Sequence, residues 1–347
     1  MSSFQDFLGN LGPKLAKETQ TGDQIHTEIY PTASLTLNEA LGGGIGGNRL
    51  TLVFGNFSAG KTMLVLQTIG VLQKLGKVCG FVDVEGSYDP VYAESLGVNT
   101  SELVVSQVRL ASQIEKVCVT WIEAGINFIG IDSISAMMGD ALLDKKTGEM
   151  KDYEDRGQIG NHSVAVKRLI KGLMYSMTGT DCAVVLISQT TTEIGQTYVK
   201  QIAEGGKAPG FFSTQVIKLT SSDNDKEQIK GKIKKGSVMV EQPIGRHVEA
   251  KVTKNKLNGK QSTSCKYDIY YGGPFRGIDN VGEIIDLAIE QEVITTSGAW
   301  AYYKRDTPEH KQWNGRPKLI EAMRDDTELF ELVKKEYEAV VNGNAEE

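Results

Sequence analysis

The chain has 347 residues, 40% of them hydrophobic and 24% charged, enough to bury one large core or about two domains. Its 38 lysines and arginines against 44 aspartates and glutamates give a formal charge of −6, which excludes coating of nucleic acid by net charge alone and leaves local basic patches open. No apolar run of about 18 residues occurs and the start, MSSFQDFLGN, has no leader pattern, so the expectation is a cytoplasmic protein without membrane contact.

In chain order, Phe4, Phe7, Leu8, Leu11 and Leu15 recur at helical spacing and predict a short amphipathic N-terminal helix, packed on a neighbouring copy or on its own domain. Glycines at 42, 43, 44, 46 and 47 then precede a buried strand, Leu50 to Phe54, followed by a glycine-rich turn and a helix from Lys61 to Leu75. Further strands are expected at Val78 to Val84, Leu103 to Val105, Asn127 to Ile131, Ala183 to Ile187 and Thr214 to Leu219. Between them lie helical stretches, Asp89 to Leu96, Ala111 to Ala124 and His162 to Met177. That rhythm predicts an α/β fold with a mainly parallel sheet covered on both faces.

Two segments, Gly139 to Asn161 and Gln189 to Pro209, are longer than a structural connection needs. Lys230, Lys232, Lys234 and Lys235 form a basic run that reads either as a solvated hairpin turn or as a DNA contact. Ser237 to Val240, His247 to Thr253 and Lys266 to Tyr271 predict antiparallel strands. After Phe275 the pattern becomes helical, at Asn280 to Glu290 and Lys318 to Val341. The implied division is an N-terminal segment 1–33, a core 34–275 and a small C-terminal α/β domain 276–347. The cysteines, Cys79, Cys118, Cys182 and Cys265, lie far apart and read as reduced packing residues, and the four histidines form no zinc or triad pattern.

The chemistry begins at Gly55-Asn56-Phe57-Ser58-Ala59-Gly60-Lys61-Thr62, which matches G-x-x-x-x-G-K-[ST] between a predicted strand and a predicted helix. Glycines let backbone N–H groups wrap phosphates, Lys61 reaches the β- and γ-phosphates, and the Thr62 hydroxyl ligates Mg²⁺. Asp132, at the end of the apolar strand Phe128 to Ile131, is placed to hold the Mg²⁺ water shell. Glu85, just past another strand, is placed to activate the attacking water.

Phe81-Val-Asp-Val-Glu-Gly-Ser-Tyr-Asp-Pro-Val-Tyr-Ala93, Ser188-Gln189, Gly205-Gly206, Lys254-Asn255-Lys256 and Gly298-Ala299-Trp300 together resemble the RecA recombinases over roughly residues 30 to 305. The resemblance implies a RecA-type P-loop ATPase core. In it Glu85 activates water, Asp89 and Tyr92 contact the adenine, and Gln189 reports the γ-phosphate of ATP to the long segment behind it. Lys254 and Lys256, alternating on one strand face, reach the ATP of the next subunit, and Phe212 lies at the same contact. It also makes the two long segments DNA-binding loops, near 150–167 and 190–208, with Arg156, Lys167, Arg168, Lys200, Gly205, Gly206 and Lys207 as contacts. The implied partners are single-stranded DNA, homologous duplex DNA and further copies in a helical filament, with strand exchange as the function. A RecA-fold helicase and a regulatory ATPase without strand exchange are the alternatives. Asp152, Glu154, Asp155, Glu193 and Glu204 are acids within these loops that depart from the pattern.

Overall fold

The computed structural model describes residues 21–144, 146–151, 160–193, 200–221, 228–235, 238–259, 262–273 and 275–343, together with residues 6, 7, 10 and 19. A short ribbon of β1 (Ile29–Tyr30) and β2 (Ile45–Gly46) flanks helix α1 (Leu35–Leu41). There follow β3 (Arg49–Gly55), α2 (Lys61–Lys74), β4 (Cys79–Asp83), α3 (Pro90–Ser95), β5 (Leu103–Ser106), α4 (Ala111–Glu123), β6 (Phe128–Asp132), α5 (Gly160–Met177), β7 (Ala183–Glu193), β8 (Lys200–Ala203) and α6 (Ala208–Phe212). Next come β9 (Gln215–Ser221), β10 (Gln228–Lys235), β11 (Val238–Asn255), β12 (Thr263–Tyr270) and β13 (Gly277–Ile278). The chain continues with α7 (Asn280–Glu290), a small antiparallel sheet of β14 (Ile294–Ser297), β15 (Trp300–Tyr303) and β16 (Lys311–Asn314), then α8 (Arg316–Asp325) and α9 (Thr327–Gly343).

The large sheet runs β13-β12-β11-β9-β3-β7-β6-β4-β5, with β10 added to β11 and β8 to β7. From β9 through β5 every neighbour is parallel, and the flank from β11 to β13 is antiparallel. The period of two along a strand sorts its side chains between two cores. In β3, Val53 joins Met63, Leu66 and Ile69 of α2, whereas Leu52 and Phe54 join Ile114 and Cys118 of α4 and Val166, Leu169 and Ile170 of α5. Both faces are thus dry, as a parallel sheet requires. A third cluster, with Ile285, Ala301, Leu319 and Val333, gathers α7 to α9 and the small sheet. It is tied to the core by Glu283, whose buried carboxylate accepts from the Ser34 and Thr36 hydroxyls and from the Leu35 and Thr36 amides at the start of α1.

Several expectations are corrected. The strands expected at Ser237 to Val240 and at His247 to Thr253 fall, from Val238 on, within the one strand β11, whose first half pairs with β10 and whose second half bridges β9 and β12. The basic run lies on strand β10, not in a turn. The expected helix Lys318 to Val341 divides at Asp326, which accepts the Leu329 amide at 3.0 Å and so starts α9 afresh. Lys167 and Arg168 stand exposed on α5, not in a loop, and Gln189 lies inside β7, which runs on to Glu193 because β8 pairs with it. Arg156, residues 1–5, 8, 9 and 11–18 with most of the expected N-terminal helix, and the side chain of Lys200 fall outside the described residues. Among the described residues no helix is long and apolar enough to cross a membrane.

Candidate active site

Four adjacent parallel strands point their carboxyl ends the same way: Gly55 pairs with Gln189 and Asp83 with Asp132, and since Ile131 pairs with Leu186 the second pair stands two residues short of the first. Ligands of open α/β sheets bind beyond such ends. The turn from Gly55 into α2 is closed by two left-handed residues, Ser58 at φ 58° and Gly60 at φ 81°. At Gly55 a Cβ would stand 2.1 Å from the Leu219 carbonyl oxygen, so only glycine lets β9 pass that close. Beyond the turn lies a cavity of about 470 Å³ lined by the loop residues Phe57 to Met63, by Glu85, Tyr92, Asp132 and Gln189, and by Arg246 and Tyr271.

Lys61 curls over the loop and donates to the carbonyls of Gly55 and Asn56 at 3.1 and 2.8 Å. Burial lowers its pKa, against the pull of Asp132 and Glu85. Thr62 Oγ1 donates to Asp132 Oδ2 at 2.5 Å. Burial raises Asp132 to about 6; the Thr62 bond opposes this and Glu85 adds to it. A buried carboxylate short of positive charge, facing a hydroxyl, is the donor set of a hard divalent cation that keeps several waters, so Thr62 and Asp132 fit Mg²⁺. Glu85 Oε1 accepts from Ser133 Oγ at 2.7 Å, which orients the carboxylate at the cavity.

The loop that carries Glu85 is organised by Asp83. Its buried carboxylate accepts the Gly86, Ser87 and Tyr88 amides at 2.9 to 3.0 Å and the Gln107 amide at 2.9 Å. Burial pushes its pKa up, but these bonds together outweigh it and hold the group below the ordinary aspartate value. Asp89 is exposed, lies outside the cavity lining and caps α3 by accepting the Tyr92 amide at 2.8 Å, whereas Tyr92 itself faces the cavity.

Gln189 is tied through its backbone to the turn after β6 and to the second long segment. Its backbone N–H donates to Ser135 Oγ at 3.0 Å, just past Asp132, and its backbone carbonyl accepts the Glu204 N–H at 2.9 Å, just before Gly205 and Gly206. Both glycines have positive φ, 96° and 82°. Lys254 and Lys256 do not line the cavity of their own chain. Lys254 Nζ instead donates to the carbonyls of Gly210 and Phe211 at 2.9 and 2.8 Å, fixing the end of α6, where Phe211 is 74% exposed. Lys207 precedes that helix.

Sequence reasoning missed Arg246 and Tyr271. They come from the antiparallel flank, where Arg246 Nη1 reaches the Ser58 carbonyl at 3.4 Å and stands 5.5 Å over the Tyr271 ring. Nearly 190 residues separate Ser58 from Arg246, and no local pattern joins them.

The family model of the RecA N-terminal domain matches residues 13–278. The chain belongs to the RecA family. Curated RecA proteins agree. That of Rickettsia prowazekii (strain Madrid E) is 32% identical over 93% of this chain and 89% of its own length. That of Fusobacterium nucleatum is 32% identical over 92% of this chain and 78% of its own. Among solved structures, the crystal structure of the RadB recombinase aligns with a TM-score of 0.49 at 20% identity, over 70% of this chain and 96% of that one. The fold expected for the RecA family, a mainly parallel sheet covered on both faces, is the one observed.

Proposed function

We propose that this RecA-family protein is an ATP-dependent recombinase that assembles as a filament on single-stranded DNA and promotes homologous pairing and strand exchange. As a member of the family it is a DNA-dependent ATPase of recombination and repair. The observation that carries the finer reading is Gln189: it lines the nucleotide cavity, and its backbone hydrogen-bonds on one side to Ser135 beyond Asp132 and on the other to Glu204 within the second long segment. A change at the γ-phosphate therefore has a short covalent and hydrogen-bonded route to residues 190–208.

In this reading Thr62 and Asp132 would hold Mg²⁺, which would supply charge neutralisation at the phosphates. Lys61 leaves its loop carbonyls for the phosphates, Glu85 takes the proton of the attacking water, and Ser133 holds Glu85 in place. Lys254 and Lys256, outside their own chain's cavity, serve the nucleotide of an adjacent copy, and Phe211 and Phe212 stand at that contact. Lys167, Arg168, Lys200, Gly205, Gly206 and Lys207 line the path of the single strand, joined by Arg156.

The test is steady-state ATP turnover with and without single-stranded DNA in a salt series. Salt-sensitive stimulation, with filaments that lengthen with the DNA in negative-stain images, is expected. Closed rings would indicate a motor instead, and DNA binding without stimulation a regulatory ATPase.

A further inference from the structure

β12 packs against the phosphate loop: a Cβ at Gly60 would stand 2.9 Å from Ile269 Cδ1. Arg246 of β11 is the cross-strand partner of Ile269, and directly opposed residues share a face of the sheet, so its side chain turns toward the same loop. There the guanidinium spans the cavity. Its Cζ stands 5.5 Å over the ring of Tyr271, which with Tyr92 gives the cavity an aromatic side, and its Nη1 donates to the Ser58 carbonyl of the loop at 3.4 Å. Among the described residues that line the cavity, Lys61 and Arg246 are the two cations and Glu85 and Asp132 the two acids.

We propose that Arg246 is a further nucleotide-binding residue of this chain's own site, exchanging the Ser58 carbonyl for phosphate oxygens of the bound nucleotide. A neutral carbonyl at 3.4 Å is a long, weak acceptor, whereas a guanidinium meets phosphate in short, charge-assisted and often paired bonds, so the exchange is favourable. Lys61 rests in the same way on the carbonyls of Gly55 and Asn56. Both cations of the cavity are thus held by loop oxygens that phosphate displaces. With five N–H donors in one plane, Arg246 gains phosphate bonds while it stays over Tyr271. Lys254 and Lys256 stand outside this cavity and, in the reading above, serve it only from an adjacent copy. Arg246 supplies a positive charge within one chain, so a single protomer holds nucleotide before it assembles.

The inference rests on the reading of this cavity as an ATP site, not on filament assembly or strand exchange, and its test is read from binding. The full chain is held without DNA at concentrations where sedimentation shows single protomers, and a bound fluorescent ADP analogue is displaced by ADP, by pyrophosphate and by adenosine. Arg246→Ala is expected to weaken ADP and pyrophosphate by about ten- to a hundredfold and to leave adenosine unchanged. Arg246→Lys, which keeps the charge and loses the planar fork, falls between the two. In steady-state assays the loss appears as a higher KM for ATP rather than as lower turnover at saturation. If Arg246→Ala fails to fold, Arg246→Gln is expected to show the same losses. Equal losses for adenosine and ADP overturn the proposal, because they place the side chain at the base. So does a fall in turnover at saturation with affinity unchanged. A parent chain that binds none of the three overturns the ATP-site reading and this inference with it, whereas a parent that binds ADP beside a variant that binds it equally well overturns this inference alone.

Discussion

Thr62 Oγ1 donates a 2.5 Å hydrogen bond to Asp132 Oδ2, joining the first turn of α2 to the end of β6 across 70 residues of sequence. A helix and a strand that are not consecutive in the chain meet there, and burial raises the Asp132 pKa to about 6.

That shift has a sign. Between the ordinary aspartate value of 3.8 and about 6 the folded chain keeps a proton that the unfolded chain has lost, so stability falls as pH rises through this window, by roughly 3 kcal/mol. Asp132→Asn is therefore expected to melt at a higher temperature than the parent at neutral pH without nucleotide, with the difference gone near pH 4. Thermal unfolding across pH checks this, and a difference independent of pH would contradict it.

Mg²⁺ requires the ionised carboxylate, so affinity for an Mg²⁺-nucleotide is expected to weaken about tenfold per pH unit below about 6. Titration with a fluorescent ATP analogue, with and without Mg²⁺, reads it. The Mg²⁺-free affinity should lack this component.

Glu85→Gln is expected to retain nucleotide affinity and lose turnover by about 10²- to 10⁴-fold, the range for a general base. Ser133→Ala frees the Glu85 carboxylate from its 2.7 Å partner and should lower turnover less, again without weakening binding. Equal losses in affinity and turnover would place Glu85 in binding instead.

Asp83→Ala leaves three backbone amides and the Gln107 amide without their acceptor, and a destabilisation of about 3 kcal/mol is expected from denaturant unfolding. Because its folded pKa is depressed, the Asp83 contribution is present above the ordinary aspartate value and lost as pH falls below it. A parent-like unfolding midpoint would show that the loop does not depend on it.

Glu283→Ala removes the carboxylate that binds four groups at the start of α1. Faster proteolysis of α7 to α9, with Glu283→Gln intermediate, is the expected outcome. Unchanged cleavage would mean that Tyr337 to Glu39 and the apolar contacts of Leu35 suffice to hold the junction.

The phosphate loop, Asp132 and Glu85 were legible because each is local: a glycine-spaced turn between a strand and a helix, and acids at the ends of apolar strands. Alternation and helical spacing likewise placed α2, α4 and α7 within a residue or two of their ends. Short-range backbone geometry and side-chain periodicity depend on neighbours in sequence, and a single sequence carries them.

Only the tertiary structure showed that Arg246 and Tyr271 reach the same cavity and that Lys254 fixes the end of α6. These contacts follow from which strands lie side by side and at what register, a choice made by burying two faces of one sheet at once. No window of sequence contains that choice, because the residues it joins lie as many as 188 positions apart.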